Sequence, residues 1–243
     1  MCCLLMCCSS LLPATAGDPP HTALRLSVRH LVDGKPLVRR DSVYTNASGE
    51  TFTITRFRYY LSNFSLLTTD GKELRLPPNY FLVDDSIPSS KEIVLNNIPA
   101  GNYSGIRFLI GVDSIRNASG VQAGVLAPEN GLFWTWNSGY IMAQLEGVSP
   151  AVKAPSHQFL FHIGGYRKPY SVLQPLTLSF PKPLVVAAGK ESQIKVVADA
   201  GKWFHAAGNV SFQDVAVIMA PGPNALKIAA NYFHMFEVEE IVR

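Results

Sequence analysis

Cysteine is missing from almost the whole chain. All four of its cysteines, Cys2, Cys3, Cys7 and Cys8, lie at the extreme N-terminus, so the remainder admits neither a disulfide framework nor a thiolate metal site. Charge is scarce as well. Charged residues make up 16% of the 243 residues, the net charge is +3 and basic residues never run beyond doublets such as Arg39-Arg40. That excludes the electrostatic footprint of a nucleic-acid binder. Past residue 16 no apolar run approaches the ~20 residues of a membrane span. Two hydrolase signatures are also missing, the Gly-x-Ser-x-Gly elbow and His-Glu-x-x-His. Glu129, Glu146, Asp113 and Asp199 are too scattered in sequence to suggest a catalytic carboxylate pair, so the expectation is a protein that is not an enzyme.

What is present begins with Met1 to Ala16, an uncharged stretch rich in Leu and Cys that closes in Ala14-Thr-Ala16. This small-x-small ending reads as a cleaved export signal, with 17–243 as a single mature domain bound for the periplasm or secreted. Lipoprotein anchoring fits less well. It needs a small residue before the acylated cysteine, whereas Cys7 follows Met6 and Cys8 follows Cys7.

The mature chain has the cadence of strands. Leu24, Leu26 and Val28 alternate with polar residues and place His30 on the same face. Phe52 to Phe64 is β-branched and aromatic, Asp70-Gly71 marks a hairpin, and Tyr80–Val83, Lys91–Leu95, Tyr103–Val112, Leu176–Phe180 and Ser192–Asp199 follow. Such spacing predicts an all-β, sandwich-like single domain. A long central loop runs from Asp113 to Asn130. One short C-terminal helix is expected over 224–236, with Asn224 as its cap.

Two motifs carry the chemistry. In Gly131-Leu-Phe-Trp-Thr-Trp-Asn-Ser-Gly-Tyr140, read as a strand, Trp134 and Trp136 leave one face together. In Phe159-Leu-Phe-His-Ile-Gly-Gly-Tyr166, Leu160 and His162 share a face opposite Phe159, Phe161 and Ile163, and the glycine pair permits close backbone approach. Read as neighbouring strands, the two offer imidazole and indole to one site. With six histidines and no thiolate outside the leader, imidazole coordination of copper, zinc, iron or nickel is the chemistry on offer. The bland alternative, core packing of the tryptophans and a hydrogen-bonded core histidine, would make the protein an exported binding or adhesion module without metal. Asp113 and Asn117 raise a separate choice between a calcium site of hard oxygens and a turn held by side-chain hydrogen bonds.

At these residues the sequence resembles the MbnP-like copper-binding domain family. The resemblance runs through Val32-Asp-Gly-Lys-Pro-Leu37, Tyr59-Tyr-Leu-Ser-Asn-Phe64, Gly111-Val-Asp-Ser-Ile-Arg-Asn117, Phe133-Trp-Thr-Trp-Asn-Ser-Gly-Tyr140, Glu146-Gly147 and Phe161-His-Ile-Gly-Gly165. It implies a periplasmic β-rich domain that binds copper through histidines and, in some members, through a kynurenine made from tryptophan with the help of a di-haem MbnH-like partner. Carried onto this chain, His162 is the first ligand, Trp134 or Trp136 the residue to be oxidised, and His30 and His205 further ligand candidates, with His234 as a fallback. One departure stands out: where some relatives continue with Ser and a nearby Cys, this chain has Gly165-Tyr166.

Overall fold

The computed structural model of the chain describes residues 22–136 and 139–242. The export-signal reading of residues 1–16 lies outside the described residues. Strands β1 (Ala23–Val32), β2 (Lys35–Pro36), β3 (Tyr44–Thr45), β4 (Thr51–Thr68), β5 (Glu73–Arg75), β6 (Tyr80–Asp84), β7 (Glu92–Asn96) and β8 (Gly101–Ile110) come first. After helix α1 (Ser114–Ala118) follow β9 (Phe133–Trp134), β10 (Gly139–Val148), β11 (Gln158–Gly164), β12 (Pro175–Val186), β13 (Glu191–Asp199) and β14 (Val217–Ile218). Helix α2 (Pro223–Tyr232) and β15 (Phe236–Val242) complete the described chain.

The strands divide into two sheets, as the alternating patterns require. The smaller runs β15-β13-β1-β2, with β7 also on β1; the larger runs β12-β8-β4-β10-β11-β14, with β3, β5, β6 and β9 attached. Their facing surfaces form an aromatic core. Ring centroids meet across it at 4.8 Å for His30 and Phe57, 5.5 Å for Tyr59 and Phe236, and 5.3 Å for Phe108 and Phe236. Beyond the area that each ring buries, such edge-on pairs add roughly 0.5–1.5 kcal/mol apiece. The all-β sandwich is therefore as the sequence suggests.

The C-terminus differs from expectation. The helix stops at Tyr232 rather than Phe236, and its N-cap is Gly222, with no side-chain capping bond from Asn224 and with Pro223 at the first turn. Residues 236–242 instead pair antiparallel with β13. Phe236 and Ile241 are buried while the glutamates face out, so pairing to a buried neighbour outweighs the helix preference of Glu.

The outer face of the larger sheet is covered at one end by residues 113–132. Tyr60 donates its hydroxyl to the Val125 carbonyl (3.1 Å) and Tyr140 donates to that of Leu126 (2.9 Å). Beyond this cover lies the face that holds His162. Among the described residues no helix is long and apolar enough to cross a membrane.

Candidate metal centre

Strand β11 places its side chains as the alternation predicts. Phe159, Phe161 and Ile163 are fully buried inward, which turns His162 outward with Leu160 and Gly164. Register sets its neighbours: Arg58 of β4, Gln144 of β10 and His162 of β11 lie opposite one another, with Arg56, Glu146 and Leu160 in an adjacent row. A polar strip thus crosses three strands.

The strip is tightly wired. Arg58 donates Nε to the Gln144 side-chain oxygen, and Gln144 Nε2 donates to Glu146 Oε1 at 2.5 Å. His162 Nε2 lies 2.7 Å from the same Glu146 oxygen. The bond from His162, joined by the charges of Arg56 and Arg58 and opposed by partial burial, holds the Glu146 carboxyl below its ordinary range. Gln144 Nε2 also stands 2.7 Å from His162 Nε2. With that amide hydrogen spent on Glu146, we place the imidazole proton on Nε2, directed at the ionised carboxylate, the stronger acceptor beside the ring, which leaves Nδ1 with its lone pair. Nδ1 has no hydrogen-bond partner among the described residues. Arg58 does a second job, donating to the carbonyls of Asn130 (2.9 Å) and Gly131 (3.3 Å) and so tying the start of the tryptophan segment to the same face.

That segment is a hairpin rather than one strand. Phe133–Trp134 pairs with Gly139–Tyr140, and Trp136 sits in the intervening turn. The indoles nonetheless remain neighbours, with centroids 5.5 Å apart and planes at 39°. They differ sharply in exposure, 4% for Trp134 and 65% for Trp136. The Trp134 ring lies on Gly164, where a Cβ would come within 2.5 Å of Cζ3 and 2.7 Å of the Tyr140 carbonyl oxygen. Only glycine fits there. Since Gly164 and His162 are two residues apart on one face, the buried indole occupies the next position along the strand from the imidazole. Its Nε1 is buried and unpartnered among the described residues, although a buried N–H without an acceptor costs ~1–3 kcal/mol.

The other candidate histidines stand elsewhere. His30 is buried between the sheets, Nδ1 at 2.8 Å from Asp85 Oδ1 and Nε2 at 2.9 Å from the Tyr59 hydroxyl, so both nitrogens are engaged. His205, after a 3-10 turn over Ala200–Phe204, places Nε2 at 2.9 Å from Asp33 Oδ1. Neither is bonded to the His162 strip. Among the described residues no three His, Cys, Asp or Glu side chains converge in a metal-binding group. In the central loop, Asp113 caps α1 through Ile115 N and Arg116 N and accepts from Asn63 and Tyr80. Asn117 bonds the Val112 and Asp113 carbonyls and the Tyr140 amide. The arrangement seen there is the hydrogen-bonded turn.

Sequence reasoning passed over Gln144, Glu146 and Arg58 as partners of His162. The signal was available, since Gln144 and Glu146 are alternate polar residues in an otherwise apolar strand.

The MbnP family model matches residues 21–220. Among solved structures, MbnP from Methylosinus trichosporium is similar, with a TM-score of 0.50 over 84% of this chain and 83% of that chain at 16% identity. At that identity the likeness speaks for the fold. No curated protein matches the sequence.

Proposed function

The chain belongs to the MbnP family, and from that premise we propose that it is an exported copper-handling protein that holds one copper ion at the outer face of its larger sheet through His162. The observation that carries this reading is the Glu146–His162 pair. A carboxylate on one ring nitrogen fixes the tautomer, raises the basicity of the other nitrogen and aims it outward, the usual arrangement behind a metal-bound histidine. The donors present fit such a site in part. Imidazole suits copper, and the face supplies one free imidazole nitrogen rather than a cluster of three protein ligands.

Trp134 supplies a reason for the shortfall. Among the described residues its nitrogen lacks a partner where a folded protein normally provides one. Four-electron cleavage of the indole C2–C3 bond, with the electrons taken by an MbnH-like di-haem oxidant, oxygen supplied by peroxide or water, and C2 lost as formate, would leave a C3 ketone and turn the indole nitrogen into the aniline amine of kynurenine. Of the two rings we assign the modification to Trp134, beside His162, with the exposed Trp136 as the ring that an MbnH-like di-haem oxidant would reach first. In this reading the bound copper is cargo, the protein performs no turnover, and Glu146, Gln144 and Arg58 serve to position His162.

The test is intact mass and copper content of protein purified from its native exported fraction, with His162→Ala alongside. The expected result is about one copper per chain, the kynurenine mass change of one oxygen gained and one carbon lost on the Trp134–Trp136 peptide, and loss of copper in the variant. No copper after reconstitution would overturn the assignment. Copper without the mass change would keep His162 and remove the kynurenine.

A further inference from the structure

On a different part of the outer face the molecule carries a second, larger feature. A cleft of ≈ 790 Å³ opens between the β5–β6 segment, α1 and the β8–β12 ladder, a volume within the usual range for a small-molecule site. Its apolar lining comes from Leu76, Pro78, Leu109, Ile115 and Pro175, and Ile115 is 79% exposed at the rim. A single exposed isoleucine is ordinary by itself; here it adds to the apolar wall of the cleft.

Charge decides what such a cleft would take. Three arginines, Arg75, Arg107 and Arg116, and two acids, Glu73 and Asp113, line it. The acids are already spent. Glu73 accepts from Ser65 (2.7 Å) and Arg107 (3.2 Å), while Asp113 takes four donors. Two guanidinium groups keep spare donors. The Arg75 side chain has no short hydrogen bond or ion pair among the described residues and acts on Glu73 only through its charge, and Arg116 bonds Gln122 at 3.2 Å and engages Tyr80, lying 5.8 Å over its ring. A guanidinium with spare donors is built for a carboxylate.

Helix α1 gives the cleft a firm wall. Ile115 and Arg116 line the cleft, while Ser114 reaches the Tyr166 carbonyl at 3.4 Å and Asn117 accepts from the Tyr140 amide at 2.9 Å. The wall is thus anchored from behind on the tryptophan hairpin.

We infer that this cleft is a binding site for a small amphipathic organic acid, its apolar body along Leu76, Leu109 and Ile115 and its carboxylates on Arg75 and Arg116. This is independent of copper at His162.

Equilibrium dialysis of the full chain against dansyl-glutamate, with the uncharged dansyl-glutamine amide as control, tests it. Saturable binding of the diacid is expected, with little binding of the amide. Arg75→Ala and Arg116→Ala should each weaken it about tenfold, the loss of one charge-assisted hydrogen bond. Lys182→Ala, an exposed cation outside the cleft, should leave it unchanged. Absence of saturable binding at millimolar probe, equal binding of the amide, or an equal loss in Lys182→Ala would each overturn the assignment.

Discussion

Of the three carboxylate–histidine pairs among the described residues, His30–Asp85, His162–Glu146 and the surface pair His205–Asp33, the first two use the same bond for opposite ends. Asp85 and His30 sit between the sheets, where burial pushes the imidazole below its ordinary range against the pull of Asp85 and so favours the neutral ring. Tyr59 closes the second nitrogen. Burial also opposes the charge on Asp85, but His30 together with Lys91 and Arg39 holds its carboxyl low. Every donor and acceptor of that network is spent on joining β1 to β4 and to the 85–91 segment. Glu146 and His162 repeat the pair on the outer face, where only one ring nitrogen is taken. A histidine with both nitrogens bonded is structural glue; one with a single bonded nitrogen keeps a lone pair to offer.

The sharpest way to break that contrast is to remove each carboxylate or ring in turn. Asp85→Ala leaves the buried His30 nitrogen without its partner and removes the counter-charge of the part-exposed Arg39 and Lys91, and should cost ~1–3 kcal/mol, the usual penalty for an orphaned buried polar group. Urea unfolding would show it, with copper stoichiometry unchanged. His162→Ala should move stability less, by ~1 kcal/mol, because Glu146 keeps its bonds from Gln144 and Arg56, while copper affinity drops at least ~100-fold. If Asp85→Ala abolished copper binding at unchanged stability, the division of labour would be wrong.

Gly164→Ala probes the link between imidazole and indole. Its methyl must displace the Trp134 ring or the Tyr140 carbonyl, so a loss of ~1–3 kcal/mol is expected from overpacking, together with a changed near-ultraviolet dichroism of the indoles. Glu146→Gln is gentler. It keeps the shape but weakens the hold on the tautomer, and should lower copper affinity about tenfold.

Acid titration gives the smallest effect and separates the pairs by window, both losing stability as pH falls. In the unfolded chain His30 gains a proton as pH falls below the ordinary imidazole value of 6.5, whereas the buried ring resists it, so stability should start to fall there. Glu146 contributes fully above the ordinary carboxyl value of 4.5 and gives way only as pH drops through its lowered folded value. The His30→Gln variant should therefore flatten the upper part of the stability profile and leave the lower part intact.

How much of this was legible depended on distance along the chain. The alternation in residues 159–163 placed His162 on the outer face correctly, because strand period is a local property. The tryptophan segment misled for the same reason: Trp134 and Trp136 fit a strand locally, but the glycine at 139 and the pairing of 133–134 with 139–140 fold them into a hairpin. Asp85 as the partner of His30, and Arg58 aligned with Gln144 and His162, depend on strand register between distant segments, which no single stretch encodes. Residues 233–236 were absorbed into the helix and 237–242 were given no element, because the partner of the last strand, β13, lies about forty positions upstream. Their buried Phe236 and Ile241 were nonetheless in plain view.

The parallel ladder that joins β1 to β13, from Ala23 against Glu191 to Leu31 against Asp199, sets the order in which the molecule can be completed. β1 leaves the ribosome long before its main partner exists, with only β2 over Leu31–Val32 and β7 over Ala23–Ser27 to cover one side. Until β13 arrives, its other edge is an unpaired strand of alternating apolar residues, the kind of template that recruits a neighbouring chain. Contacts of such sequence separation also make for slow assembly. Folding yield of this protein should therefore depend on how long that first strand is kept apart from its own copies.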